Sequence, residues 1–269
     1  MEIDILQVFI LAFVQGVTEF LPISSSGHLI LFPMVFGWPD QGQGFDVALH
    51  VGSLIAVMFY FRRDVSDLFG AVPKLVKGQH TLHTVLLVNL VIATLPALLA
   101  GVSFKGWIEL NLRGALVIAA TTIGFGILLW HSDRRVVKPQ SLDEMPWWAA
   151  LIIGVSQVLA LIPGTSRSGI TMTAGRYLGY GREESSRFSF LMSIPIILAA
   201  GVIKTVDLLT QDNFSTEVQW DFFLLGTVLS AISAYFCILL FLKTIQRIGM
   251  LPFVLYRLVL GAVLIYLFW

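Results

Sequence analysis

Apolar residues crowd this chain into long runs at about 47–61, 83–101, 114–131, 188–206, 220–242 and 251–269. Most approach the ~20 residues that an α-helix needs to cross a hydrocarbon core, so the pattern predicts six transmembrane helices. Two other stretches are apolar on both sides of a Pro/Gly/Ser break: 5–21 then 29–36, and 147–162 then a shorter tract around 170–180. These are expected to be re-entrant helical hairpins, each dipping into the bilayer and returning to its own side.

The charges between the runs support that arithmetic, because Lys/Arg bias in short loops sets orientation. Arg62, Arg63, Lys74 and Lys77 follow the first run, Arg134, Arg135 and Lys138 the third, and Lys243 and Arg247 the fifth. In contrast, 37–46 has only Asp40 and Asp46 as charges, and 207–219 has Asp207, Asp212 and Glu217 without a base. The loop 102–113 is mixed, with Lys105, Glu109 and Arg113. With the three basic loops in the cytoplasm, all six runs alternate. Residue 47 then starts outside and residue 188 inside, so the two hairpins enter from opposite faces and both termini lie outside. A full crossing by either broken segment would put a basic loop on the wrong side.

Composition agrees. Of 269 residues, 57% are hydrophobic and 13% charged, and mean hydropathy is +0.84. A soluble domain carries roughly a quarter charged residues. The expected fold is an all-α polytopic membrane protein, one integral membrane domain over 1–269. Met1, Glu2, Ile3 and Asp4 lack the basic opening of a signal peptide, so the first apolar stretch is expected to belong to the mature chain. A lone Cys237 allows no intrachain disulfide, and zero formal net charge gives no support to nucleic-acid binding.

The broken segments are related. An offset of 142 aligns Gln15 with Gln157, Ser24 with Ser166, Ser26 with Ser168 and Gly27 with Gly169, in QGVTEFLPISSSGHL and QVLALIPGTSRSGIT. Pro22 and Pro163 fall one residue out of register. Four identities mean little alone. Together with opposed hairpins they indicate an inverted-topology repeat, about 1–131 and 147–269, joined by a basic cytoplasmic linker 132–146. Such repeats place their site near the midplane, between broken helices.

After Pro22 a new half-helix can start at the serines, presenting free N–H groups and partial positive charge suited to phosphate. Ser24, Ser25 and Ser26 add hydroxyls, and Gly27 lets a bulky anion approach the backbone. Small residues also simply permit close helix packing in lipid. Glu19 and His28 shift the balance, because ionisable groups within membrane segments are costly and usually functional. Glu19 lies one helical turn from Gln15, and both would project from one face. In the second segment Arg167 matches Ser25, and its guanidinium can clamp phosphate oxygens bidentately. Ser166, Ser168 and Thr171 surround it with hydroxyls. A buried arginine needs an anion, so its expected partner is Glu19, a ligand phosphate, or both.

His50, four residues after Asp46, could line the pocket or merely cap a helix. Asn89 and Thr94 read as interhelical hydrogen-bonders, Arg176, Arg182, Glu183, Glu184 and Arg187 as a solvated cytoplasmic turn, and Trp147, Trp148 and Trp269 as interfacial anchors. The set suits phosphoryl chemistry on a lipid. Glu19 and Gln15 could share Mg²⁺ or Ca²⁺ with a pyrophosphate, but the carboxylates are too few to hold a metal without substrate.

QGVTEFLPISSSGH closely resembles the (E/Q)xxxE and SSxGH signature of the bacterial undecaprenyl pyrophosphate phosphatases, the bacitracin-resistance family. IPGTSRSG resembles that family's PGxSRSG motif, and the similarity spans nearly the whole chain, including FDVALHVGS. The resemblance implies an inner-membrane enzyme that removes the terminal phosphate of a C55 polyprenyl pyrophosphate, regenerating the cell-wall carrier, in a pocket open to the outer side. It implies Glu19, Ser25, His28 and Arg167 as the catalytic set, with Ser24, Ser166 and Thr171 contacting phosphate. Gln15 stands where some members have glutamate, which concentrates the burden on Glu19. Ser25, His28 or water could be the nucleophile. The other lipid phosphatases with an SGH element need a histidine beyond the arginine, and none follows Arg167 nearby. The alternative from another class is a polyprenyl-phosphate transporter or flippase using the same pocket, since inverted repeats are transporter architecture. The partners expected are the lipid substrate and membrane lipids; a homodimer is compatible with the sequence.

Overall fold

The computed structural model describes residues 4–136, 140–210 and 220–269. Lys138, Asp212 and Glu217, used above to orient the chain, lie outside the described residues. Among those residues the fold is all-helical, with no strand. In chain order, the first four helices are α1 (Ile5–Phe20), α2 (Ser25–Phe36), α3 (Gly42–Tyr60) and α4 (Arg62–Val76). They are followed by α5 (Leu82–Asn111), α6 (Ala115–Asp133), α7 (Trp147–Val158) and α8 (Arg167–Tyr177). The last three are α9 (Arg182–Thr210), α10 (Trp220–Ile248) and α11 (Leu251–Phe268).

Six helices, α3, α5, α6, α9, α10 and α11, are long and apolar enough to cross a membrane, which makes this a multi-pass membrane protein. Their outer faces carry exposed Leu99, Val102, Leu224, Phe236, Leu255 and Val259, the surface expected where lipid tails replace water. The two broken segments become the short pairs α1–α2 and α7–α8. Each first member packs on a long helix of the other half of the sequence, α1 on α10 and α7 on α5. The approach is close in both cases. A Cβ at Gly16 would lie 2.6 Å from the Ser230 carbonyl oxygen, and one at Gly154 would lie 2.5 Å from that of Ala93. Small residues therefore set helix contacts here, as in lipid generally, at Gly16 and Gly154 and also at Gly164 of the second serine motif, where a Cβ would lie 2.6 Å from the Ile118 carbonyl oxygen.

Below the pairs, Phe20 meets Phe190 edge-on at 5.2 Å, both fully buried, so the end of α1 is pinned to α9. Asn89 donates to the Met145 carbonyl at 2.7 Å, tying α5 to the segment before α7, whereas Thr94, read as a bond between helices, donates to the Leu90 carbonyl of its own helix at 2.7 Å.

Three segments differ from the reading of the sequence. The stretch after α3, read as a loop, is the helix α4, whose Val65, Leu68, Phe69, Val72 and Val76 recur at helical spacing. The mixed segment 102–113 mostly continues α5 to Asn111. The supposed solvated turn is docked instead. Arg176 is buried and donates to the carbonyls of Tyr180, Asp133 and Arg135, while Arg182 grips Asp133 with two bonds of 2.7 and 2.9 Å. Arg187 pairs with Asp64 of α4. The end of α6 supplies an acid and free carbonyls, so these arginines bind protein rather than water.

Candidate active site between the two broken helices

The breaks α1–α2 and α7–α8 have one shared geometry. Ser24 and Ser166 sit at φ 75° and 72°, the two non-glycine residues with positive φ among those described. Such backbone costs of order 1–3 kcal/mol and clusters at functional sites. Each serine hydroxyl caps the helix that follows: Ser24 Oγ accepts from Gly27 N at 3.4 Å, and Ser166 Oγ from Gly169 N at 3.1 Å. Each also meets a second hydroxyl, Ser26 at 3.4 Å and Ser168 at 3.2 Å. Two helix starts are thereby built, presenting the N–H groups that favour anions.

The breaks are tied together. Ser168 Oγ donates to the Leu21 carbonyl at 2.8 Å. Thr121 Oγ1 and Thr122 Oγ1 of α6 donate to the carbonyls of Pro163 at 2.7 Å and Gly164 at 3.2 Å.

Glu19 stands where the two segments converge, its side chain only 6% exposed. Its Oε2 accepts from Ser25 Oγ at 2.6 Å and from Gln15 Nε2 at 3.1 Å. Its Oε1 accepts from Arg167 Nη2 at 2.9 Å, and His50 Nε2 lies 3.7 Å from Oε2. Arg167 is held from its other side by the Ser189 carbonyl at 3.0 Å. The carboxylate thus holds a hydroxyl from one segment and a guanidinium from the other, leaving Ser25 Oγ bonded to a proton acceptor.

These groups open on a cavity of about 350 Å³. Glu19, the three serines 24–26, His50, Ser166 and Arg167 form its polar end, and Ala97, Leu161, Ile196, Ile197 and Ala200 its apolar side. A second cavity of about 530 Å³ adjoins it through Ser26, His50, Pro163 and Lys204, and is lined further by Asp40, Gln41, Asp46 and Arg113. One side of the site is apolar, and the adjoining cavity brings Asp40, Asp46 and Arg113 to the other.

Not every candidate faces the cavity. His28 turns away: Nδ1 bonds the Ser24 carbonyl at 2.6 Å and Nε2 the Tyr256 hydroxyl at 2.5 Å. Thr171 is buried and spends its hydroxyl on the Arg167 carbonyl and on Ser189 Oγ, both at 2.8 Å. Gln15, Gly27 and Ser168 lie behind the wall. His50, a secondary candidate from sequence, is the histidine beside Glu19. Four residues escaped the sequence reading as site elements: Gln157 and Lys204 on the wall, Tyr256 on His28, and Arg257. Arg257 carried a signal, being a cation inside an apolar run.

Among the described residues no group of three or more His, Cys, Asp or Glu side chains could hold a metal ion. Gln15 Oε1, buried beside Glu19, finds no hydrogen-bond partner among them, and neither does Gln157 Oε1. Such a donor set fits a divalent cation only when a ligand brings most of the oxygens.

The model of the family described as bacitracin resistance protein BacA matches residues 8–263. Undecaprenyl-diphosphatase 2 of Stutzerimonas stutzeri (strain A1501) is 53% identical over 272 residues, covering 98% of each chain. The undecaprenyl-diphosphatase of Alteromonas mediterranea is 54% identical over 261 residues and 97% of each chain. That of Alcanivorax borkumensis is 51% identical over 268 residues and 99% of each. With the family match running through both broken helices and the site between them, the chain belongs to the bacitracin resistance protein BacA family.

Proposed function

We propose that this chain is a membrane phosphatase that hydrolyses undecaprenyl pyrophosphate to undecaprenyl phosphate and inorganic phosphate. The observation that carries the reading is the Ser25–Glu19–Arg167 chain, bonded at 2.6 and 2.9 Å across the two segments, at the polar end of a cavity with an apolar side. The names of the relatives point to the same substrate.

In the proposed reaction, Ser25 Oγ attacks the terminal phosphorus while Glu19 Oε2 takes its proton. The bond from that phosphorus to the bridging oxygen breaks, and undecaprenyl phosphate leaves. Water then attacks the phosphoserine, releasing inorganic phosphate and restoring the hydroxyl. Arg167 and the free N–H groups at the starts of α2 and α8 face the charge that develops on the phosphoryl oxygens, the dominant contribution in such chemistry. Glu19 would hold a divalent cation, Mg²⁺ or Ca²⁺, arriving with the pyrophosphate, with the unpaired Gln15 Oε1 available from behind Glu19 if that side chain turned; the cation would supply further neutralisation of the phosphoryl charge. Ser24, Ser26 and Ser166 line the phosphate end, and His28 supports α2 from behind. The apolar residues of α5, of the 159–161 turn and of α9 receive the first isoprene units.

The topology belongs to the same proposal. The α1–α2 and α7–α8 pairs are re-entrant and enter from opposite faces of the bacterial inner membrane, as inverted repeats. The second cavity opens to the periplasmic side, where Asp40 and Asp46 lie. The test is phosphate release by detergent-purified protein from a polyprenyl or farnesyl pyrophosphate with divalent metal. Release supports the phosphatase. Lipid binding without release would overturn it in favour of a transporter.

A further inference from the structure

Arg257 of α11 is fully buried, within a helix apolar enough to span the membrane. An arginine there is costly unless its nitrogens find acceptors. Among the described residues it forms no ion pair. Its donors go instead to five backbone carbonyls: Nε to Thr122 at 3.0 Å, Nη1 to Pro22 at 3.0 Å, and Nη2 to Thr165 at 2.9, Gly164 at 3.1 and Thr121 at 3.4 Å. Three of these oxygens belong to the breaks themselves. Pro22 lies two residues before the strained Ser24, and Gly164 and Thr165 directly precede the strained Ser166. A broken helix leaves carbonyls without helical partners, and in a bilayer no water is at hand to satisfy them.

We infer that Arg257 is a positioning residue for phosphate chemistry: one guanidinium, anchored outside both pairs, fixes the distance between the two serine-capped helix starts. Only a planar fork can serve both breaks and α6 together; a lysine ammonium reaches one group of carbonyls at a time. The consequence falls on reacting groups that Arg257 does not touch. Ser25 follows the break held through Pro22, and Arg167 follows the break held through Thr165. Losing the brace lets the two starts relax apart and misaligns hydroxyl and guanidinium. Tyr256, its neighbour, bonds His28 at 2.5 Å, so consecutive residues of α11 steady the first break at two points. The inference rests on the phosphatase reading given above.

The experiment compares wild type, Arg257→Lys and Gly126→Ala, purified in detergent and judged folded by monodispersity and thermal midpoint. Wild-type phosphate release from farnesyl pyrophosphate is the control for the reading itself; its absence overturns both. A misplacement of about 1 Å costs on the order of 100-fold, so Arg257→Lys is expected to lose about that factor in kcat per folded molecule, with KM changed less than about threefold. Gly126→Ala keeps the guanidinium but puts a Cβ 3.3 Å from Arg257 Cβ and 3.4 Å from Nε, displacing the side chain from the α6 side. It is expected to lower kcat about three- to tenfold, a fraction of that 100-fold loss, with a smaller drop in the midpoint than Arg257→Lys, and it decides the matter if Arg257→Lys does not fold. Wild-type kcat in a folded variant, with loss confined to thermal midpoint or yield, would overturn the positioning role and leave the arginine merely structural.

Discussion

Replacing Glu19 with glutamine removes one charge from the point where both broken helices meet and changes almost nothing in volume. Its consequence follows from donor counting. Both carboxylate oxygens accept from donors now, Oε1 from Arg167 and Oε2 from Ser25 and Gln15. Turned toward Arg167 the new NH₂ confronts a donor, and turned toward Ser25 it can only donate to the hydroxyl, so either the Arg167 arm or the proton acceptor of Ser25 is lost. A hydrogen bond to a charged group is worth about 1.5–3 kcal/mol. Loss of a positioned proton acceptor costs a further 10²- to 10⁴-fold, roughly, in rate. The expected outcome is a kcat lowered by at least about 10²-fold in protein that still elutes as a single folded species. The assay is phosphate release from a polyprenyl pyrophosphate at saturating substrate, with the thermal midpoint measured alongside. A variant retaining more than a tenth of wild-type kcat would refute the argument that Glu19 takes the Ser25 proton.

The other predictions are read in the same assay. His28→Ala should lose less activity than Ser25→Ala, because His28 faces Tyr256 and the Ser24 carbonyl rather than the cavity, and Tyr256→Phe should reproduce part of its loss. His50→Ala should lower kcat about two- to fivefold, the scale of about 0.2–1 kcal/mol for a part-exposed polar pair with a carboxylate; unchanged activity would remove His50 from the site. Gly154→Ala should lower the thermal midpoint, since overpacking against the Ala93 backbone costs about 1–3 kcal/mol, while kcat per folded molecule holds. Chelation of divalent cations should abolish turnover yet leave the midpoint of the substrate-free protein unmoved. A drop in that midpoint would reveal a resident metal site.

The six spanning helices were legible because lipid leaves no ambiguity about long apolar runs. The meeting of Glu19 with Arg167 was legible for a related reason: two opposite charges in apolar surroundings must find partners, and the two similar motifs, 142 residues apart, suggested where to look. What sequence spacing did not give was direction. His28 and Ser25 are three residues apart on one helix start, but Ser25 reaches Glu19 at the cavity and His28 reaches Tyr256 of α11, because three helical positions turn the side chains about 60° apart and each takes the partner on its own side. Arg257 was missed although it obeys the same rule that exposed Arg167. Its partners are backbone carbonyls, which carry no signature in a sequence. The docked turn at Arg176 and Arg182 was hidden similarly, since the charges read as solvated until the end of α6 is seen to receive them.

The central claim is that Ser25, bonded to Glu19 and facing Arg167 across the two breaks, is the group that attacks the pyrophosphate. The most direct test is the turnover of Ser25→Ala on undecaprenyl pyrophosphate, measured beside wild type in the same detergent and with lipid binding confirmed. The account predicts a kcat lowered by about 10³-fold or more, as expected when a nucleophile is removed and the surrounding charges remain. Turnover within about tenfold of wild type would contradict it and hand the attack to water or to another side chain.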